Sequence, residues 1–263
     1  MGVVGRSEET AGEEGSAEAA SREAASGETL AGALVGELLG LLAHDLRNPL
    51  SALHSNLGYL DAVLGSEEGE AREAVVDGVV SCDGLSHVID NVDLLGQILR
   101  GNLHVQRGSS PAAALIAGAV ERCQSAARSH GLTLELDAKA RQLHVAVDAG
   151  RDMATRALTN LIRNSIQHAP PSTTVQVSAQ LVGRRLCVYV RDSGSALVDE
   201  NSESAFTAEG QVAAKARANS RYSRGMGLYC ARIAARLCGG EVRVIQGAKG
   251  NTFELSLPQL EPR

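Results

Sequence analysis

Leu41-Leu42-Ala43-His44-Asp45-Leu46-Arg47-Asn48-Pro49-Leu50 lies within a long stretch of regularly spaced leucines. The leucines recur at steps of three and four residues, at Leu39, Leu42, Leu46, Leu50, Leu53, Leu57, Leu60 and Leu64. This spacing predicts a helix that packs along a partner helix. His44 and Asp45 fall outside the leucine pattern, so an adjacent imidazole and carboxylate are expected on the more polar flank of the helix.

The leucine pattern predicts the first of two long helices, from about 31 to 64 and from about 71 to 100, separated by Gly65-Ser66-Glu67-Glu68-Gly69. A short connection makes the two helices an antiparallel hairpin, which has too little core to be stable alone. We therefore expect residues 30–102 to form a dimerisation hairpin, two copies of which make a four-helix bundle.

After residue 102 the pattern changes to alternating strands and helices, which predicts an α/β sandwich over 103–263, a mixed sheet with helices on one face. Ser110 and Pro111 are expected as the N-cap and first residue of a helix. A polar stretch at 193–223 is long enough to predict a functional lid. The helices are predicted at 110–129, 150–168 and 226–238, and the strands at 132–136, 143–147, 173–182, 185–191, 241–246 and 251–257.

The composition excludes some functions. The 263 residues include no Trp, two Phe and four Tyr, and the formal net charge is -6. So few aromatic residues and no basic patch argue against nucleic-acid binding. Residues 1–29 hold seven Glu and two Arg with few large apolar side chains, which predicts a disordered acidic tail.

Five isolated cysteines without a Cys-x-x-Cys pair are typical of buried core residues in a reducing cytoplasm. The longest apolar run, from Leu30 to Ala43, contains Glu37 and is too short to span a bilayer. We expect a cytoplasmic protein without a membrane span, and the acidic N-terminus is no secretory signal.

The His44–Asp45 pair has two interpretations. A neutral imidazole beside a carboxylate, with Asn48 one turn beyond, is a suitable nucleophile with an orienting group and a polar positioner. Pro49 removes a backbone donor, so we expect the helix to bend or loosen beside His44. The alternative is a solvated pair and a tolerated kink. His54, without an adjacent carboxylate, is interpreted as structural.

Three stretches of the C-terminal half also carry polar patterns. Asn160, Asn164 and His168 are spaced four residues apart in one row, and an amide oxygen there can ligate Mg²⁺, although a solvent-facing row is the alternative. Asp192-Ser193-Gly194 ends a strand, where a carboxylate can accept from an adenine amino group, but Asp-Ser-Gly is also ordinary turn chemistry. Ser223-Arg224-Gly225-Met226-Gly227-Leu228 opens a helix whose backbone N–H groups can approach phosphate.

In order and spacing, these four stretches together resemble a two-component sensor histidine kinase, over about residues 31–258. His44 to Leu50 is similar to the H-box of that family, and Leu158 to His168 to the N-box. Asp192-Ser-Gly194 and Gly225-Met-Gly227-Leu resemble the two glycine boxes. Phe206 stands where the Phe motif of the lid begins. The resemblance implies a hairpin with the phosphoacceptor, followed by the Bergerat-type ATP-binding fold shared with gyrase-type and chaperone ATPases.

The resemblance also implies roles. His44 would accept the γ-phosphate of ATP, and Asp45 would orient or deprotonate the His44 ring. Asn48 would position water in a phosphatase reaction. Asn164 would bind Mg²⁺. The other expected nucleotide-binding residues are Asn160, His168, Asp192, Gly194, Gly225 and Gly227.

Several residues depart from the family pattern. Ala196 and Ser223 replace glycines of the two boxes, Glu209 stands where a second Phe is usual, and Gln167 where a Lys is common. We expect these departures to weaken or slow nucleotide handling without abolishing it.

The leading hypothesis is a homodimeric protein-histidine kinase that passes phosphate from His44 to an aspartate of a response-regulator receiver domain. With no sensor domain recognisable before residue 30, a separate input protein is the expected source of the signal. The alternative is a degenerate, weakly active kinase that serves as a receiver-docking or phosphotransfer module. A serine/threonine kinase of the anti-sigma type would share the ATP domain but does not need a histidine-bearing hairpin.

Overall fold

The computed structural model describes residues 9–64, 69–101, 103, 105–106, 108–195, 203–210, 226–246 and 250–260. The chain forms two compact units, each containing part of both long helices. The first comprises Met1–Asp45 and Val92–Leu103, and the second comprises Leu46–Asn91 and His104–Arg263. The division thus falls within the helical hairpin, and the predicted domain boundary at 102/103 stays a prediction.

Helices α1 (Glu9–Leu64) and α2 (Glu70–Leu99) form the expected N-terminal helical region. The disordered acidic tail expected over residues 1–29 stays a prediction, but the predicted helix start is corrected, because α1 begins at Glu9 and not at about residue 31 and so includes residues 9–29. The reason is that this segment is rich in Ala and Glu, two of the best helix formers, and extends the helix without a break. Residues 1–8 lie outside the described part. The helix also continues past Pro49.

In the first unit, glycines allow α1 and α2 to approach closely. A side chain at Gly36 would meet the backbone oxygen of Gly96 at 2.8 Å, so neither helix has room for a Cβ there. Arg100 Nη1 donates to the Gly36 carbonyl oxygen over 2.7 Å. Ala43 and Leu94 are fully buried in this unit. Small residues and one long arginine therefore hold these helix segments together.

The second unit contains a mixed five-stranded sheet, which confirms the predicted mixed-sheet α/β architecture of the C-terminal half. The strand order is β2-β4-β5-β7-β6, with β2 parallel to β4 and the other pairs antiparallel. The short strands β1 and β3 pair separately. The strands are β1 (Ser109–Pro111), β2 (Thr133–Leu136), β3 (Ala146–Asp148), β4 (Thr174–Val182), β5 (Arg185–Asp192), β6 (Glu241–Gln246) and β7 (Asn251–Pro258).

The sheet is apolar on one face because side chains alternate along each strand. Val177 pairs with Val190, which pairs in turn with Phe253, and all three side chains are buried. On the other face, Tyr189 pairs with Glu254 and Glu254 with Arg243. The apolar face requires a covering layer, which the helices provide.

The covering helices are α3 (Ala112–Ser129), α5 (Arg151–His168) and α6 (Gly227–Leu237), which contact the strands and one another. A short α4 (Ala138–Arg141) and a 3₁₀ helix (Ser204–Phe206) complete the described elements. The prediction of Ser110 as an N-cap is wrong. Ser110 lies in β1, where its hydroxyl bonds the Ala149 carbonyl oxygen, and Pro111 precedes α3 without a side-chain cap.

Among the described residues, no helix has both the length and the apolar character needed to cross a bilayer.

Candidate nucleotide and phosphoacceptor sites

His44 and Asp45 form an exposed pair on α1. Their side chains are 71% and 78% exposed, and His44 Nδ1 lies 3.4 Å from Asp45 Oδ1. Asn48, one turn further along the helix, is also exposed. Because a carboxylate only accepts, Nδ1 donates in this contact, and in a neutral ring Nε2 then has the free lone pair. The pair is thus accessible to a reacting group.

Asp192 is held in a fixed orientation at the end of β5. Its side chain is buried, and Oδ1 accepts from the Gly194 backbone N–H over 2.8 Å and from Asn251 Nδ2 over 3.1 Å. Asn251 Nδ2 also reaches the Ser195 carbonyl oxygen at 3.0 Å. Asn251 thereby links the carboxylate to the turn that follows it. A carboxylate fixed by two donors is preorganised to accept from a ligand amino group.

The chain comes very close to Asp192 from β7. Asp192 pairs in register with Asn251, the first residue of β7. Gly250, which directly precedes Asn251, has a φ of 72°. A Cβ at Gly250 would lie only 1.9 Å from the Asp192 carbonyl oxygen. Only glycine satisfies both the left-handed backbone and this approach.

Asn164 on α5 has an orphaned polar atom. Its side-chain nitrogen is buried without a hydrogen-bond partner among the described residues. An orphaned group of this kind costs about 1–3 kcal/mol and marks a place that a ligand can satisfy. His168 is half-buried at the end of the same helix. The orphaned nitrogen can donate to an acceptor such as a phosphate oxygen, and the amide oxygen is the atom of Asn164 that could ligate Mg²⁺.

Asn160 is in a different situation, because its amide is fully hydrogen-bonded. Oδ1 lies 3.0 Å from His87 Nε2 and accepts from Asn91 Nδ2 at 3.0 Å. Nδ2 donates to Asn91 Oδ1 at 3.2 Å and to the Arg156 carbonyl oxygen at 3.0 Å. We call His87 and Asn91 of α2, together with Asn160 of α5, the polar cluster. The side chain of Asn160 is accordingly buried.

His87 is neutral in the polar cluster. Burial, together with the nearby positive charge of Arg163, lowers the pKa of His87 from 6.5 to about 4. Because the oxygen of Asn160 can only accept, the single proton of the His87 ring is on Nε2. The neutral ring thus acts as a donor to Asn160.

Gly227 begins α6 next to the polar cluster. A Cβ at Gly227 would lie 3.2 Å from Asn160 Oδ1, and Met226 provides no side-chain cap for the helix. The structure therefore brings together two residues of separate predicted motifs, Asn160 and Gly227. Gly225, like the substituted positions Ala196 and Ser223, lies outside the described residues.

Phe206, where the Phe motif of the lid was expected, is a core residue in this structure. Its ring meets Phe253 edge to face at 6.4 Å, and the Arg232 guanidinium lies 4.7 Å from the ring centroid. Arg232 also forms an ion pair with Glu203. These contacts attach the 3₁₀ helix to α6.

Sequence reasoning missed four residues of these sites: His87, Asn91, Asn251 and Arg232. Asn91 carried a usable signal, because it is a poor helix former beside the apolar stripe of α2. Asn251 directly follows a glycine at the start of a predicted strand, which is ordinary turn chemistry. His87 carried no such signal, because its partner is 73 residues away.

Residues 149–261 match the family model described as "Histidine kinase-, DNA gyrase B-, and HSP90-like ATPase". This range includes α5, β4 to β7 and α6, which hold Asn164, Asp192 and Gly227. The match thus covers the predicted nucleotide-binding residues of the C-terminal half.

Two curated relatives are sensor kinases. The chain is 27% identical to sensor histidine kinase ZraS of Escherichia coli (strain K12) over 225 residues, covering 85% of this chain and 45% of that protein. It is 25% identical to sensor-like histidine kinase SenX3 of Mycolicibacterium smegmatis over 230 residues, covering 85% of this chain and 57% of that one. The chain therefore spans about half the length of these relatives.

A solved structure shares the fold. Full-length ShkA, crystallised with AMPPNP, superposes with a TM-score of 0.56 at 19% identity, over 86% of this chain and 46% of that one.

The matches favour the kinase interpretation over the degenerate binding module. Residues 149–261 thus match the model of the histidine kinase-, DNA gyrase B- and HSP90-like ATPases, and the chain is similar to sensor histidine kinases over 85% of its length.

Proposed function

We propose that this chain is a protein-histidine kinase that uses ATP to phosphorylate His44 and then passes the phosphoryl group to an aspartate of a response-regulator receiver domain. The observation that carries the proposal is the exposed His44–Asp45 pair in a chain that also contains the ATPase family domain. Relatives over most of the chain are sensor histidine kinases. Their names support the activity proposed here.

The His44–Asp45 contact supports a specific chemistry. With the Nδ1 proton directed to Asp45, the Nε2 lone pair attacks the γ-phosphorus of ATP. The Nε2–phosphorus bond forms as the bond from the γ-phosphorus to the bridging oxygen breaks, and ADP leaves with that electron pair. Asp45 stabilises the positive charge on the ring. The phosphoryl group then moves to the receiver aspartate and neutral His44 is regenerated.

The nucleotide site is proposed from the residues of the second unit. Asp192 would accept from the adenine amino group, since Asn251 and the Gly194 N–H fix its carboxylate. Gly194, Gly225 and Gly227 would let the backbone approach the nucleotide. His168, at the end of the same helix, is also assigned to this site.

Mg²⁺ fits the amide oxygen of Asn164, since Mg²⁺ takes oxygen ligands, while the orphaned nitrogen of the same carboxamide could donate to a phosphate oxygen. Asn164 would hold the ion on the phosphate side. When bound, Mg²⁺ supplies neutralisation of phosphate charge. Asn160 is also assigned to the phosphate side of this site.

We propose a homodimer formed by the hairpin. The leucine pattern of α1 leaves several side chains about half exposed within one chain: Leu42 56%, Leu46 53%, Leu53 55% and Leu60 45%. Exposed leucines in a row favour burial against a second helix pair. Five buried cysteines that stand singly in the sequence, without a Cys-x-x-Cys pair, favour a cytoplasmic location. Asn48 would position water if the protein also dephosphorylates its receiver partner.

The test is incubation of the full chain with γ-labelled ATP and Mg²⁺, followed by measurement of acid-labile phosphate on the protein. We expect labelling that His44→Gln abolishes and Asp45→Asn reduces at least tenfold. His54→Gln is the matched control, because His54 lies on the same helix and also contacts a carboxylate, Asp83, at 3.7 Å. Labelling that persists in His44→Gln would contradict the assignment of the phosphoacceptor. A chain that binds no ATP would contradict the proposed kinase as a whole.

A further inference from the structure

The polar cluster uses the complete hydrogen-bonding capacity of Asn160. A side-chain amide has two donor hydrogens and two acceptor lone pairs. Asn160 Oδ1 receives His87 and Asn91, while Nδ2 serves Asn91 and the Arg156 carbonyl oxygen. In this arrangement Asn160 has no position left for a phosphate oxygen or for a water on a metal ion.

Helix α2 also contacts the first turn of α6. The Cys230 thiol, in the first turn of α6, points at the Asn91 carbonyl oxygen at 3.9 Å. Arg156 Nη1 donates to the Asp90 carbonyl oxygen over 2.8 Å. The start of α6 is where the second glycine box was predicted to receive phosphate. The α2 segment 87–91 therefore lies against the two elements that would hold the phosphates.

We propose that the polar cluster is an inhibitory latch: His87 and Asn91 of α2 occupy Asn160, and the phosphates of Mg-ATP compete with α2 for this side chain. The inference rests on the proposed function, because it takes Asn160 and Gly227 as part of the nucleotide site. It adds that α2 regulates that site. Neither His87 nor Asn91 has a role in the phosphoryl transfer itself.

The latch predicts how affinity changes when it is removed. In the released state, α2 no longer occupies Asn160. For a ligand that binds only this state, the apparent dissociation constant is the intrinsic dissociation constant divided by the fraction of molecules in the released state. If about a tenth of the molecules are released, removal of the latch tightens ATP binding by about tenfold. A purely structural contact would produce no tightening, because its loss would loosen α5 and weaken the site.

The test measures Mg-ATP affinity by calorimetry on the full chain carrying His44→Gln, which cannot be phosphorylated at that position. His87→Ala and Asn91→Ala are introduced in turn. We expect each to tighten ATP binding three- to tenfold, with the double variant no more than slightly tighter than either. Asp83→Ala is the control, since Asp83 lies on the same helix and pairs with His54. The Mg-ATP affinity of the Asp83→Ala variant should equal that of the His44→Gln parent chain.

A second measurement needs no change in the cluster. Imidazole signals of His87, assigned with His87→Gln, are followed by NMR against pH with and without saturating Mg-ATP. We expect ATP to move the titration of His87 from about pH 4 towards that of an exposed histidine. ATP affinity that is unchanged or weaker in both variants, or a His87 titration that ATP does not move, would overturn the latch. If the parent chain binds ATP normally in that case, the proposed kinase function still stands; absence of ATP binding in every variant would overturn both.

Discussion

Asn251 Nδ2 lies 3.1 Å from Asp192 Oδ1, and the two residues are directly paired across β5 and β7. The same amide reaches the Ser195 carbonyl oxygen at 3.0 Å. One side chain thus orients the proposed adenine acceptor and the turn behind it. The strand pairing, which joins residues 59 positions apart, makes this possible.

Asn251→Ala should weaken Mg-ATP binding by about tenfold, because a hydrogen bond to a charged group contributes ~1.5–3 kcal/mol. The measurement is calorimetric titration in the His44→Gln background. Thr252→Ala is the control, since successive side chains of a strand point to opposite faces. Equal affinities in the two variants would show that Asn251 does not orient Asp192.

Gly250→Ala should lower the free energy of unfolding more than Gly183→Ala. Both glycines have positive φ, 72° and 59°, so alanine is strained at each by about 1–2 kcal/mol. Only at Gly250 does the added Cβ overlap another group, the Asp192 carbonyl oxygen, whereas Gly183 faces open space. Overlap adds a further ~1–3 kcal/mol. Urea unfolding of both variants measures the difference, and equal losses would count against the close approach.

Arg232→Lys should destabilise the C-terminal unit by about 1–2 kcal/mol, because lysine lacks the planar guanidinium that lies over Phe206. Arg236→Lys is the matched control one turn later on α6. Arg236 is 60% exposed and pairs with Glu241 at 3.5 Å, so its replacement should cost less than about 0.5 kcal/mol. Chemical unfolding monitored by circular dichroism provides both values. A smaller loss at Arg232 than at Arg236 would contradict the stacking contact.

Stability should fall as the pH is lowered from 6.5 to about 4. His87 is neutral in the fold because burial and Arg163 lower its pKa, while the unfolded chain takes up the proton near pH 6.5. Asp90, which opposes the shift, and Arg156 also act on the ring. Each pKa unit corresponds to ~1.4 kcal/mol, so the full effect is on the order of 3 kcal/mol.

Unfolding free energies of the parent and of His87→Gln, measured from pH 7.5 to 4, check this. The unfolding free energy of His87→Gln should depend less steeply on pH, because the variant lacks the imidazole that takes up a proton on unfolding. Identical pH slopes in the two proteins would show that His87 is not buried in its neutral form.

The sequence pattern predicted the main elements closely where local spacing is informative. The strands expected at 173–182 and 185–191 are observed as Thr174–Val182 and Arg185–Asp192, and the helix expected at 150–168 as Arg151–His168. Alternation and helical periodicity are local properties, so a single sequence reveals them. Ser110 was wrongly predicted as an N-cap because a serine before a proline suits a helix start, whereas pairing with Val147 makes it a strand residue.

The leucine spacing around His44, the Asn160–Asn164–His168 row and the Asp192 turn were determined by the sequence alone, since each lies within one element. Tertiary structure alone decided what those residues contact. Asn164 has an orphaned amide, whereas Asn160, one turn earlier on the same helix, is saturated by His87 and Asn91. Hydrogen bonds between elements far apart in the chain depend on how the elements pack, and no local pattern contains that information.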